Sequence, residues 1–350
     1  LSGIDRERAA NRLDRITAAF RGRSRFLVQT HNNPDPDSLA CAMTLRYLIQ
    51  RETGHDAVIA FGGVIGRSEN RAMVRQLRIP LTQGSLIDYA TYDFTAICDT
   101  QPGTNYSSLP DGFCPTVVID HHGMRPETKA AEVAIVEPNY GATSALVAEM
   151  LIAKGVPIPT DVATALYYGI KSETQDLARD ATETDVEVYR ELEKLIDRRV
   201  LARIETGRVP REYYTEILTV LSTATIHGRV VVADLGRLRV PDMVPEMADF
   251  LMRLEGIRWS CVMGDYQDTL YVSIRTSDPD GNAGEAIKVA VSGMGSAGGH
   301  TSMAGGQVLM PRYTDAEKED VKRSFIEALL PLTGVADGVP EPLIRGSEGA

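Results

Sequence analysis

The chain has 350 residues, 43% of them hydrophobic and 24% charged, with 37 Lys and Arg against 48 Asp and Glu for a formal net charge of −11. This is ordinary globular composition, long enough for two domains of about 150 residues each. The acidic balance argues against a broad basic face for gripping duplex DNA and favours small phosphorylated substrates, and no run approaches the ~18 apolar residues that a membrane span needs.

Residues 1–12 are polar and charged rather than a secretory signal, and the first residue is Leu rather than Met, which leaves room for a natural start upstream. Residues 5–20 repeat apolar positions at helical spacing. Short apolar runs at 25–30 (RFLVQT), 57–61 (AVIAF), 94–99 (FTAICD) and 116–120 (TVVID) then alternate with helical patterns at 38–51, 69–77, 142–153 and 161–170. Buried strands alternating with helices predict an α/β domain with a largely parallel sheet over residues 1–195. Helical patterns continue to 225, and 196–227 reads as a linker. A second set of strands at 229–234, 259–263 and 270–276 predicts a smaller α+β domain over 228–335. Residues 292–306 read as a glycine-rich loop after a helix at 283–291, and 315–330 as a final helix. Residues 336–350 read as a loose tail. Cys41, Cys98, Cys114 and Cys261 show no CxxC spacing, so a zinc ribbon or redox pair is not expected. Reduced thiols fit a cytoplasmic enzyme.

Three of the four apolar runs in the first half lead into metal-ligand residues: His31, Asp99, and Asp120 followed by His121 and His122. Ligands of open α/β sheets gather beyond the carboxyl ends of the strands, so these residues are expected to converge on one crevice. Pro34 and Pro36 bias Asn33 and Asp35 toward extended backbone, which would put Asp35 and Asp37 on one face near His31. Paired carboxylates repel one another unless cations lie between them. Singly, Asp37 also reads as a helix N-cap, Asp35 as a turn acid and Asp99 as a strand-end acid. Together with His31 and His121 they read as a metal centre, with Asp99 placed to bridge two ions. The mixed imidazole and carboxylate set suits Mn²⁺, with Mg²⁺, Co²⁺ or Zn²⁺ as lesser alternatives. Two such ions would activate a bridging water and stabilise both oxygens of an in-line displacement at phosphorus.

HNNPDPDS at 31–38, the strand end at Asp99, DHH at 120–122 and GIKSETQD at 169–176 resemble, in order, the four motifs of the DHH phosphoesterases. GMGSAGGHTSMAGG at 293–306 resembles the glycine-rich motif of their DHH-associated C-terminal domain. The group includes RecJ-type exonucleases, nanoRNases that also dephosphorylate pAp, cyclic-dinucleotide phosphodiesterases and family II pyrophosphatases. The resemblance implies that His31, Asp35 and Asp99 hold one metal, and that Asp37, Asp99, His121 and the fourth-motif acid hold the other. It implies that His122 contacts the scissile phosphate or the leaving oxygen, and that Asp120 orients a histidine. Most relatives place Asp where this chain has Glu173, and Asp176 is the alternative ligand. Ala297 stands where the first glycine of the C-terminal motif is common.

In the glycine-rich loop, backbone at Gly298 and Gly299 can approach a phosphate closely, and His300 can hydrogen-bond or stack on a nucleotide. Arg275 can pair with a phosphate. GMGSAG matches a dinucleotide fingerprint formally but follows a helix, so NAD binding is rejected. Arg67, Arg71, Arg75 and Arg78 read as a solvated helix face. The expected activity is two-metal hydrolysis of oligoribonucleotides, linear dinucleotides or pAp, acting on single-stranded or mononucleotide partners without a membrane or duplex DNA. A homodimer is compatible with this. The alternatives are a pyrophosphatase or exopolyphosphatase, a cyclic-dinucleotide phosphodiesterase, and a non-catalytic nucleotide sensor.

Overall fold

Apolar runs rich in Val, Ile, Phe and Thr pair as buried strands because branched and aromatic side chains fill both faces of a pleated sheet. The computed structural model describes residues 5–104, 106–335 and 339–344. The chain divides into two units, Leu1–Arg208 and Val209–Ala350. The first unit runs α1 (Arg6–Ala18), β1 (Phe26–Asn32), α2 (Pro36–Thr53), β2 (Ala57–Gly62), α3 (Ser68–Gln76), β3 (Leu81–Gln83), β4 (Phe94–Cys98), β5 (Val117–Asp120), β6 (Val133–Val136), α4 (Thr143–Lys154), α5 (Thr160–Glu173), α6 (Glu183–Glu193) and α7 (Arg198–Glu205).

Its six strands are all parallel, in the order β3-β2-β1-β4-β5-β6. The chain builds outward from β1 to β3, then crosses to the other side of β1 with β4. Connections leaving β1 and β4 therefore diverge, and a crevice opens beyond their carboxyl ends. Phe26 and Val28 of β1, Phe94 and Ala96 of β4, and Val117 and Ile119 of β5 join the helices in the main core. Leu27 and Ala60 face the other way, into a smaller cluster with Tyr89 and Phe113. The sequence reading missed β3 and β6. The three half-buried residues of β3 are too few to show a period.

The local geometry of the PDPD segment differs from the expected extended form. Asn33 is left-handed (φ 55), which asparagine tolerates, and its Oδ1 accepts the Val64 N–H at 2.8 Å. Asp35 is extended (φ −95, ψ 178) and caps α2 by accepting the Ser38 N–H at 2.9 Å. Pro36 opens the helix, where its missing N–H would have had no helical partner. Asp37 is thus a first-turn residue of α2, and the alternate-face argument does not apply to it.

The second unit contains α8 (Arg211–Thr223), β7 (Thr225–His227), β8 (Val230–Arg237), α9 (Met243–Leu251), β9 (Trp259–Tyr266), β10 (Thr269–Thr276), α10 (Ala283–Ala290), β11 (Ser296–Gly299), β12 (Met303–Leu309), α11 (Asp315–Leu329) and β13 (Glu341–Pro342). Its sheet order is β11-β12-β10-β9-β8-β7-β13, antiparallel except for β8 and β9. Val230, Val232, Cys261 and Met263 pack with α10 and α11 on one face. Val231, Ala233 and Val262 pack with α8 and α9 on the other. Alternation along each strand produces these two cores.

The segment 196–227 is divided between the units, with α7 in the first and α8 and β7 in the second. The glycine-rich segment is a hairpin of β11 and β12 rather than a loop. In the expected tail, Glu341 and Pro342 pair with Ile226 and Thr225 of β7, while 336–338 and 345–350 lie outside the described residues. Among the described residues no helix is long and apolar enough to cross a membrane.

Candidate metal centre

His31 lies near the end of β1. A carbonyl oxygen only accepts, so the 2.8 Å contact between His31 Nδ1 and the Asn32 carbonyl places a proton on Nδ1. Nε2 then faces two carboxylates, 3.4 Å from Asp35 Oδ1 and 3.6 Å from Asp99 Oδ2. Asp99 follows β4 directly, with its backbone turned left-handed at φ 57 and its N–H donated to the Ile119 carbonyl at 2.8 Å. Its other oxygen, Oδ1, lies 3.6 Å from His121 Nε2 and accepts the Thr143 hydroxyl at 2.7 Å. The two oxygens of one carboxylate thus serve two donor groups that share Asp99: His31, Asp35 and Asp99, and Asp99, His121 and His122.

His121 and His122 follow β5. His121 Nδ1 donates to the Tyr140 carbonyl at 3.0 Å, which leaves Nε2 toward Asp99. His122 Nδ1 donates to Asp120 Oδ1 at 2.8 Å, and Gln101 donates to Asp120 Oδ2 at 2.6 Å. Asp120 thereby orients His122, as ligand-bearing histidine pairs require. Asp37 is 1% exposed and accepts two backbone N–H groups from the start of α4, Thr143 at 2.8 Å and Ser144 at 2.7 Å.

The electrostatics are those of carboxylates held close together out of water. Burial pushes the Asp99 carboxyl well above the ordinary range, and Asp37, Asp35, Asp120 and Glu173 add to the shift. Asp37 is raised by burial and by Asp35, with His121 opposing. Burial opposes charge on His31, but Asp35 outweighs it and lifts the imidazole to about 9. Asp35 is lowered, because burial is outweighed by the paired His31. Protons thus stabilise a cluster whose oxygen and nitrogen donors fit divalent cations, and among the described residues no thiolate joins the donor groups.

Glu173 ends α5, with Arg179 3.1 Å from its Oε1 and hydrogen-bonded to its carbonyl. Burial and then Asp35 and Asp37 raise its carboxyl, against the pull of Arg179 and His121, so Glu173 shares the field of the centre. Asp176 is engaged elsewhere: it accepts the Tyr189 hydroxyl at 2.9 Å and lies 3.6 Å from Lys171.

In the second unit, Gly298 and Gly299 belong to β11, and His300 follows with its N–H donated to the Met303 carbonyl at 2.7 Å. A Cβ on Gly299 (φ 156) would lie 2.4 Å from Ala304 Cα, whereas one on Gly298 would meet nothing within 4 Å. Arg275 is buried on β10 and hydrogen-bonded to Asp249, to Ser273 Oγ at 2.7 Å and to the Ile274 carbonyl at 3.0 Å. Its guanidinium is therefore engaged within the unit.

Sequence reasoning missed Thr143 and Ser144, Gln101 and Arg179. The Gly-Ala-Thr-Ser run at 141–144 opens a helix with small polar residues, a signal for an anion at a helix N-terminus. Gln101 and Arg179 carry no local signal, because their partners are fixed only by the fold.

Residues 25–170 match the DHH family, N-terminal domain. The chain is 34% identical over 308 residues to an uncharacterized protein of Methanocaldococcus jannaschii, covering 86% of this chain and 62% of that relative. This chain thus spans less than two thirds of that relative's length. It is 26% identical over 242 residues to the bifunctional oligoribonuclease and PAP phosphatase NrnA of Thermus thermophilus, covering 65% of this chain and 71% of the relative. Its fold is similar to that of an exopolyphosphatase-related protein from Bacteroides fragilis, with a TM-score of 0.69 at 14% identity, over 92% of this chain and 98% of the other. With the donor residues from His31 to His122 inside it, residues 25–170 are the part of the chain that matches the DHH family, N-terminal domain.

Proposed function

We propose that this chain hydrolyses phosphoester bonds of short nucleotide substrates (oligoribonucleotides, linear dinucleotides or pAp) with the help of two divalent cations, preferably Mn²⁺. The observation that carries the reading is the Asp99 carboxylate, which faces His31 with Oδ2 and His121 with Oδ1 at 3.6 Å each. In this reading His31, Asp35 and Asp99 hold one cation, and Asp37, Asp99, His121 and Glu173 hold the other. When bound, the cations supply Lewis acidity toward water and toward the phosphoryl oxygens.

The chain supplies orientation. Asp120, steadied by Gln101, holds His122 by Nδ1 and leaves Nε2 to meet the phosphate or the leaving oxygen. Thr143 and Ser144 fix Asp37 and Asp99 from one helix end. Gly298, Gly299 and His300 of the hairpin recognise the nucleoside. Arg275 serves a phosphate only where that phosphate displaces Asp249 from it. The nucleotide class is supported by the likeness to the oligoribonuclease and PAP phosphatase of Thermus thermophilus, and by the exposed His300.

The test is a panel of pApA, longer RNA, pAp, cyclic dinucleotides and pyrophosphate, each with Mn²⁺ and with chelator. Release of mononucleotide or phosphate from pApA, RNA or pAp is expected with Mn²⁺ alone. Activity confined to pyrophosphate overturns the substrate class. Activity untouched by chelator overturns the metal reading.

A further inference from the structure

Two residues of the segment 137–144, Glu137 and Tyr140, also join a largely buried ionic cluster with Arg12 and Glu149. Arg12 of α1 is 5% exposed and Glu149 of α4 is 1% exposed. Arg12 donates to the Tyr140 hydroxyl at 2.9 Å and to Glu149 Oε2 at 3.4 Å, and it pairs with Glu137. The Tyr140 hydroxyl donates to Glu149 Oε2 at 2.7 Å, and the Arg12 guanidinium lies 5.6 Å from the centroid of the same ring. Arg8 closes the far side by gripping both Glu137 oxygens at 2.8 and 2.9 Å.

Burying an arginine and a glutamate is weak evidence for stability, since apolar side chains of similar size often do as well. A buried polar cluster does, however, fix geometry through its hydrogen bonds, and here the Tyr140 hydroxyl is held by both Arg12 and Glu149. What this one fixes is a segment that touches three candidate ligands. The Tyr140 carbonyl accepts from His121 Nδ1, the Thr143 and Ser144 N–H groups hold Asp37, and the Thr143 hydroxyl holds Asp99. Gly141, between them, donates to the buried Asp185 at 2.9 Å, and a Cβ there would lie 2.9 Å from Thr174 Cγ2 and 3.0 Å from the Asp180 carbonyl. The segment is therefore clamped from α1, α4 and α6 at once.

We propose that Tyr140 is a positioning residue: anchored through its hydroxyl by Arg12 and Glu149, it presents its carbonyl to His121, holds that imidazole as the Nδ1–H tautomer and aims Nε2 at Asp99. The proposal rests on His121 as a metal ligand for its functional consequence, but the tautomer itself is a property of the metal-free chain. A carbonyl acceptor at Nδ1 leaves the lone pair on Nε2, and without it both tautomers of an imidazole are populated.

The test compares wild type with Tyr140→Phe, which keeps the ring, and with Glu149→Gln, which keeps an acceptor for the hydroxyl. Nitrogen NMR of the histidine side chains in metal-free protein, with His121 assigned by its loss in His121→Gln, reads the tautomer. Mn²⁺ titration then reads the two affinities. In wild type, His121 is expected as the Nδ1–H form. In Tyr140→Phe a mixture is expected, together with a roughly 10-fold weaker affinity at one Mn²⁺ site and an unchanged other site, the size seen for outer partners of metal ligands. Glu149→Gln is expected to keep the wild-type tautomer. An unchanged tautomer in Tyr140→Phe, or equal weakening of both sites alongside a lower Tm, overturns the proposal and leaves the cluster a helix-packing device. A wild-type chain that binds fewer than two Mn²⁺ overturns the two-metal reading instead, while the tautomer measurement still decides the role of Tyr140.

Discussion

Asp99 carries its carboxylate on left-handed backbone (φ 57), which aspartate and asparagine accept more readily than other side chains. Asp99→Asn therefore removes charge without adding strain. We predict a loss of turnover of at least about 100-fold at saturating Mn²⁺, because both cations lose a shared anionic donor. In chelator the same variant is expected to melt higher than wild type near neutral pH. Burial, and then Asp37, Asp35, Asp120 and Glu173, raise the Asp99 carboxyl well above its ordinary value, so its charge opposes folding at any pH above the unfolded value. His31 points the same way. Its imidazole is lifted to about 9, so its favourable pairing is complete below the unfolded value of about 6.5 and is lost as pH rises through the folded one. The Tm of chelated wild type should thus fall between these two pH values, and saturating Mn²⁺ should abolish the fall. A flat profile in chelator would refute the electrostatic account. At the fourth motif, Glu173→Gln should raise the Mn²⁺ concentration needed for half-maximal activity. Asp176→Asn should leave it unchanged, because Asp176 is held by Tyr189 and Lys171. The reverse pattern would transfer the ligand to Asp176.

At the scale of elements, the sequence reveals those strands whose apolar runs are long enough to show, and the ligands that end them. His31, Asp99 and His121 could be placed in one crevice before any coordinates, since parallel strands deliver their carboxyl ends to one edge of the sheet. The mutual orientation of Asp35 and Asp37 could not, because Pro36 both favours extension before it and opens a helix after it, and the helix won. The β11–β12 hairpin was hidden for a related reason: its glycines have no side chains from which to read an alternation. Helix contacts are equally silent. Gly169 lets α5 approach the first turn of α2, and a Cβ there would lie 2.3 Å from Ser144 Oγ and 3.2 Å from Asp37 Cα. Gly169→Ala should destabilise the fold by about 1–3 kcal/mol through overpacking. It should also weaken Mn²⁺ binding, since the displaced atoms hold or carry a candidate ligand. A denaturant melt and a Mn²⁺ titration check the two effects separately, and wild-type values in both would show that the helices adjust freely.

For the whole molecule, the candidate chemistry is divided between two units with separate cores. Residues of the first are proposed to hold the ions, and His300 in the second to recognise the nucleoside. His300→Ala is accordingly expected to lower kcat/KM for a dinucleotide by about 5- to 100-fold, in the range of one lost base contact. A base-free aryl phosphodiester should be much less affected, and Mn²⁺ affinity should not change. Equal losses on both substrates would instead place His300 at the reacting phosphate. The carboxylates of the first unit carry a further consequence. Asp35 caps α2, Asp37 takes two N–H groups at the start of α4, Asp99 takes the Thr143 hydroxyl, and Asp120 takes Gln101. Each anion already has a protein donor, and the positive ends of two helices face them, so the chain can fold before any ion arrives. Loading of the proposed ions is then expected to displace protons from a finished protein, so that the ion bound would follow the supply at the moment of filling rather than the conditions of synthesis.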